Sequence, residues 1–211
     1  ELHQQSDALA MELTKRGAGK GSRVGICLDR SVDMLIAVMG VLKSGAAYVP
    51  MDSGYPAERL AYILGDCAAP VLITHRCVRE RIEEALSDCK ASILEMDSDL
   101  SWRDNASSQT MVLPQPDDAI YIIYTSGSTG QPKGAEVLHS GEVNLQSWYI
   151  GDLGLTADDR FMLMAAFGFD LTQKNLFAPL LVGGTLVIPE MQDFDLEVIA
   201  KTLDSEQITV I

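Results

Sequence analysis

Short apolar runs alternate along this chain with stretches of helical period, and that alternation restricts the fold more than any other feature. The runs RVGICL, AAYVP, PVLITH, SILEM, AIYIIYT, FMLMA and TLVIP have strand length. Between them ELHQQSDALAMELTKRG, VDMLIAVMGVLKSG, ERLAYILGDC, VRERIEEALSDC, a stretch from about Ser140 to Ile150, LTQKNLFAPLLVG and DLEVIAKTLDSE read as helices, several closed by glycine. Strands alternating with helices of this length predict an α/β fold, with parallel sheets flanked by helices. The chain opens inside a helical pattern, and a last apolar piece, ITVI, is cut off, so an incomplete part of a larger unit is expected.

Residues 97–117 are polar, poorly periodic and hold two prolines, which predicts a linker between a first α/β part, 1–96, and a second, 118–211. With 47% apolar residues a packed core is expected, and a formal net charge of −14 argues against a nucleic-acid binder. The longest apolar run, residues 34–42, is flanked by Asp33 and Lys43. It is far short of the roughly 20 residues that span a membrane. No secretory signal is visible, so Cys27, Cys67, Cys77 and Cys89 read as free thiols of a reducing cytoplasm. His3, His75 and His139 show no metal-ligand spacing, and no metal site is expected from them.

One turn stands apart. After the buried strand AIYIIY comes TSGSTGQPKG, in which hydroxyl side chains and glycines alternate and Lys133 follows. Glycines let a backbone bend sharply and approach an anion, while amide and hydroxyl donors point inward, so the composition suits phosphate. The spacing is neither GxxxxGK[ST] nor GxGxxG, because Gly127, Gly130 and Lys133 are each three apart. A plain surface turn is the competing reading of any Gly/Ser cluster.

YTSGSTGQPKG resembles the phosphate-loop signature of the adenylate-forming superfamily, and the continuation AEVLHSGEVNL, with His139, resembles it too. LKSGAAYVPMDSGYPAERLAYIL is similar to a second signature, found chiefly in the amino-acid adenylation domains of nonribosomal peptide synthetases. Its residues read as structural: Gly45 ends a helix, Pro50 and Pro56 fix chain direction, and Arg59 braces the loop. ELHQQSDALA resembles the tail of the family's first signature.

The third stretch is FGFDLTQKNLFAPLLVGGTLVI. On residues alone, Asp170 at a strand-to-helix junction reads as a helix N-cap. The resemblance implies another role: in amino-acid-activating domains an aromatic–Asp pair, here Phe169–Asp170, places a carboxylate on the substrate's α-ammonium group. A buried ammonium needs such a counter-charge. Carried over by position, Leu171 and Lys174 would face the substrate side chain. A lysine there suits an acidic or carbonyl-bearing side chain, against the plainer reading of a lysine reaching into solvent.

The resemblance implies the large N-terminal core of an adenylation domain. It implies ATP and Mg²⁺, with Thr125, Ser126, Gly127, Ser128, Thr129 and Gly130 around the pyrophosphate side and Lys133 adding positive charge. It also implies an aminoacyl-adenylate intermediate, transfer to the phosphopantetheine thiol of a peptidyl carrier protein, neighbouring condensation domains and, in some systems, a small helper protein. The C-terminal catalytic region finds no match, so no catalytic residue is assigned and these 211 residues alone are expected to be inactive. The alternatives are an acyl- or aryl-CoA ligase of the same superfamily and a non-catalytic scaffold that keeps the fold.

Overall fold

The computed structural model describes residues 1–98, 100–104, 113–126, 131–189 and 195–211. The chain forms two compact units: residues 1–29 with 33–139, and residues 30–32 with 140–211.

In the first unit the elements run α1 (Leu2–Lys15), β1 (Arg23–Cys27), α2 (Val32–Lys43), β2 (Ala47–Met51), α3 (Ala57–Cys67), β3 (Val71–Thr74), α4 (Arg76–Arg81), β4 (Ser92–Glu95), β5 (Ala119–Ser126) and β6 (Pro132–Leu138). The sheet order is β4-β3-β1-β2-β5-β6. All neighbours are parallel except β5 and β6, which form an antiparallel hairpin. β2 and β3 are buried at every position, as a parallel sheet covered on both faces requires. Leu60, Ile63, Leu64 and Cys67 of α3 pack with Val49, Met51, Leu72, Ile122 and Tyr124 of the sheet. α1 and α2 meet closely, because a Cβ on Gly40 would come within 2.8 Å of Leu9 Cδ2. Lys43 Nζ also joins them by donating to Asp7 Oδ1 at 2.6 Å and Ser6 Oγ at 2.7 Å.

Three local expectations are refined. VRERIEEALSDC is not one helix: α4 stops near Ile82 and a 3-10 turn, Glu83–Leu86, keeps Val78, Ile82 and Ala85 buried. The polar stretch after residue 96 carries another 3-10 turn, Leu100–Asp104, whose Trp102 is buried. β6 was not expected, because its residues are exposed at most positions and no apolar run marks it. It is the sheet's antiparallel edge strand.

The second unit holds α5 (His139–Leu153), β7 (Arg160–Met162), α6 (Asp170–Val182), β8 (Thr185–Val187) and α7 (Leu196–Ser205). β7 and β8 pair in parallel, and the expected last strand ITVI appears as a single bridge from Val210 to Phe161. Phe161, Tyr149 and Ala178 form one packed cluster in this unit, and Met162, Leu163, Phe167 and Leu176 are buried as well. Gly183 closes α6 in the left-handed region, φ 76°, which glycine adopts without strain. Asp195 caps α7 by accepting from the N–H groups of Glu197 and Val198.

Candidate functional site

All five parallel strands of the first unit end on the same edge of the sheet, the edge where open α/β sheets bind ligands. β5 ends there in the glycine-rich turn. Its burial falls from buried at Tyr124 to exposed at Thr125 and Ser126. Across the hairpin Thr125 stands opposite Lys133, and Ser126 opposite Pro132. Opposed residues of an antiparallel pair point to the same face. The structure therefore puts the Thr125 hydroxyl and the exposed Lys133 side chain side by side on one face of the hairpin. Gly127, Ser128, Thr129 and Gly130 lie outside the described residues.

The other face of this hairpin is fixed to α3. Tyr124 is buried, and its hydroxyl donates to Asp66 Oδ2 at 2.5 Å. Burial, and then the Asp66 hydrogen bond, hold the phenol well above the usual tyrosine range. Arg59 Nη2 donates to the Tyr124 carbonyl at 3.2 Å. Its guanidinium lies over Tyr55, 4.1 Å from the ring centre. Gly134 stands opposite Tyr124, and a Cβ there would meet Ile122 Cγ2 at 2.9 Å and Tyr124 Cζ at 3.1 Å. So the glycine after the lysine is required by packing. Arg59, expected to brace a loop, braces the strand that leads into the glycine-rich turn.

Farther along the same edge lies a charged network. Arg81 Nη2 donates to both Asp29 oxygens at 2.7 Å, and Ser53 Oγ adds a bond at 2.7 Å. Burial raises the Asp29 carboxyl, but the bonds from Arg81 and Ser53 and the Arg81 charge outweigh it and leave it below the ordinary value. Asp33 meets His75 at 3.0 Å and Arg103 at 3.8 Å. His139, next to the hairpin in sequence, donates its N–H to the Asp118 carbonyl at 2.9 Å. Burial lowers its imidazole, and the Asp118 charge opposes that only in part.

In the second unit Phe169, Asp170, Leu171 and Lys174 gather at the start of α6. Phe169, extended, takes the N-cap position, and Asp170 is the first helical residue. The Asp170 carboxylate accepts from the adjacent Leu171 N–H at 2.8 Å, and among the described residues no cation pairs with it. Phe169 and Leu171 are 56% and 61% exposed, so the pair is presented outward. Gln173 donates to the carbonyls of Phe167 and Phe169 at 3.0 and 3.1 Å, and Thr172 to that of Ala166 at 2.7 Å. These bonds fix the approach to the helix.

Lys174 does not reach into solvent. Its ammonium lies 4.2 Å from the Tyr149 ring centre and 3.4 Å from Asn175 Oδ1, which also accepts from the Tyr149 hydroxyl at 2.9 Å. Gln146 donates to the Lys174 carbonyl at 3.2 Å and to Glu142 Oε1 at 2.7 Å. Sequence reasoning did not single out Tyr124, Asp66, Tyr149 or Gln146. The available signal was spacing: 59 and 66 share one face of α3, and 142, 146 and 149 one face of α5.

The family model described as AMP-binding enzyme matches residues 1–211. Tyrocidine synthase 3 of Brevibacillus parabrevis is 38% identical over 193 residues, covering 90% of this chain and 3% of that protein. Tyrocidine synthase 1 of the same organism is 34% identical over 212 residues, covering 100% of this chain and 19% of that protein. The chain thus spans only a small part of these relatives. Among solved structures, the nonribosomal peptide synthetase FmoA3 in its α-methyl-L-serine-AMP bound form aligns with TM-score 0.88 and 28% identity, over 99% of this chain and 23% of that one. The N-terminal subdomain of Klebsiella oxytoca NpsA, in complex with 3-hydroxyanthranilyl-AMSN, aligns with TM-score 0.83 and 27% identity, over 100% of this chain and 51% of that one.

Proposed function

The chain belongs to the AMP-binding enzyme family, and on that premise we propose that its protein activates an amino acid with ATP for nonribosomal peptide synthesis. The amino acid's carboxylate oxygen attacks the α-phosphorus, the α–β phosphoanhydride bond breaks, and pyrophosphate leaves as the aminoacyl-adenylate forms. Two anions must approach, so the site needs aimed donors and positive charge more than a proton-transfer pair. Thr125 and Ser126 supply hydroxyls on the pyrophosphate side, and Lys133 supplies charge beside Thr125. Mg²⁺ would neutralise phosphate charge. It takes much of its coordination from phosphates and water.

The single observation that carries the amino-acid reading is Asp170. It is an exposed carboxylate with no cationic partner among the described residues, beside an exposed aromatic ring at the start of α6. A substrate α-ammonium would supply the missing charge. Lys174, held by Tyr149 and Asn175, favours a substrate side chain that is acidic or carries a carbonyl. Likeness to tyrocidine synthases and to a solved nonribosomal peptide synthetase supports the next step, transfer of the aminoacyl group to the phosphopantetheine thiol of a peptidyl carrier protein, with condensation domains as further partners. Four free thiols suit a reducing cytoplasm, and among the described residues no helix is long and apolar enough to cross a membrane.

The test is amino-acid-dependent ATP–pyrophosphate exchange by the natural full-length protein, over a panel that includes aspartate and glutamate. Strong exchange with one amino acid, abolished in Asp170→Ala, is the expected result. NpsA was also solved with 3-hydroxybenzoyl-AMSN, an aryl ligand without an ammonium group, which favours aryl-acid activation as the second reading. Exchange with benzoic acids and silence with every amino acid would select it.

A further inference from the structure

β5 is laddered to its parallel neighbour β2 at one register pair, Tyr48 with Tyr121. Beyond that pair no further β2–β5 register is formed, and α3 adds a second hold on the hairpin through side-chain bonds. Arg59 and Asp66 stand seven residues apart, on one face of the helix. They grip the same residue at two points: Arg59 the backbone carbonyl of Tyr124, Asp66 its hydroxyl. The third point is steric, because Gly134 lies against the Tyr124 ring with no room for a Cβ. Packing alone does not call for this arrangement. A Phe or Leu at 124 would fill the α3 cluster without a buried hydroxyl that needs a partner. The polar atoms are spent on direction.

We infer that Arg59 and Asp66 are positioning residues that strap Tyr124 and so set where Thr125, Ser126 and Lys133 are presented. The strap touches neither nucleotide nor amino acid. It acts through Tyr124, the last buried residue before the exposed hydroxyls. Its role toward nucleotide rests on the ATP reading above. The strap itself does not, since it can be measured without any ligand.

The experiment compares Tyr124→Phe, Asp66→Asn, Arg59→Ala and Arg59→Lys in the natural full-length protein. Amide hydrogen exchange is read without nucleotide at residues 123–126 and 133–135. Loss of one anchoring bond should lower protection there about tenfold while β1 and β3 stay unchanged. In pyrophosphate exchange the same variants should raise the KM for ATP about tenfold and leave the KM for the amino acid unmoved, with Arg59→Lys closer to wild type than Arg59→Ala. Unchanged protection in Tyr124→Phe and Asp66→Asn would overturn the strap, whatever the activity. An equal rise of both KM values would overturn its role toward nucleotide. A wild-type protein that uses no ATP would overturn the functional reading, and the protection data would still decide the strap.

Discussion

The Lys174 ammonium is held over the Tyr149 ring, 4.2 Å from its centre, and within 3.4 Å of Asn175 Oδ1. A solvent-reaching lysine would make neither contact. Held in this way it loses less rotamer freedom on meeting an anionic group, as the selecting role proposed for it requires. Lys174→Met should lower exchange with an acidic amino acid by about ten- to a hundredfold, from loss of a charged hydrogen bond worth about 1.5–3 kcal/mol. Exchange measured across the same amino-acid panel checks this. A variant that keeps the wild-type order of preference would leave Lys174 with a packing role only.

The contact of α1 with α2 offers a stability test. A methyl on Gly40 would lie 2.8 Å from Leu9 Cδ2 and 2.9 Å from Leu9 Cγ. Alanine in a helix interior gains about 1 kcal/mol over glycine, but overpacking a core costs about 1–3 kcal/mol. Gly40→Ala should therefore be neutral to destabilising by about 2 kcal/mol. Leu9→Ala should cost about 2–5 kcal/mol through the cavity it opens. In the double variant the new methyl points into that cavity, so the combined loss should fall short of the sum by about 0.5–3 kcal/mol. Urea unfolding of the four proteins measures the cycle, and strict additivity would mean that the two helices separate rather than repack.

Much of the first unit was legible because β2 and β3 are continuous apolar runs, buried on both faces, and α1 and α2 are followed by Gly17 and Gly45, both at positive φ. β6 was not legible. An edge strand with one exposed face needs no apolar run, and residues 132–138 carry none. The site residues show the same division. Asp170 and Lys174 were singled out through the family resemblance, since on residues alone they read as a helix N-cap and a lysine reaching into solvent. Tyr124 hid inside AIYIIYT, where a tyrosine looks like one more apolar strand residue, and its bonds to Arg59 and Asp66 span 65 and 58 positions of sequence. No local pattern carries a contact of that range.

The Asp29–Arg81 pair predicts an acid-dependent loss of stability. The folded carboxyl lies below the ordinary value of 3.8. Its contribution is therefore present above that value and is lost as the pH falls through the lower folded one. Both side chains are about one-third exposed, 32% and 41%. Solvent screening keeps the contribution to about 1 kcal/mol or less. Asp29→Asn should be less stable at neutral pH, and its urea midpoint should fall less steeply than wild type below about pH 4. Parallel pH profiles would show that the pair does not contribute.

The four thiols separate by burial. Burial, with the nearby Asp52 and Asp29 charges, pushes the Cys27 thiol up to about 12, and burial raises Cys67 as well. Cys77 is exposed and Cys89 half-buried. Thiolate is the reactive form, so both low thiolate content and lack of access protect the buried pair. At about pH 8 an alkylating reagent should modify Cys77 first and Cys89 more slowly. Cys27 lies in β1 and Cys67 at the end of α3, in one packed cluster. Those two should react only at the rate at which this cluster opens, and together in urea. Peptide mapping over a labelling time course reads this directly. Early modification of Cys67 alone would mean that α3 opens independently of the sheet, and with it the helix that carries Arg59 and Asp66.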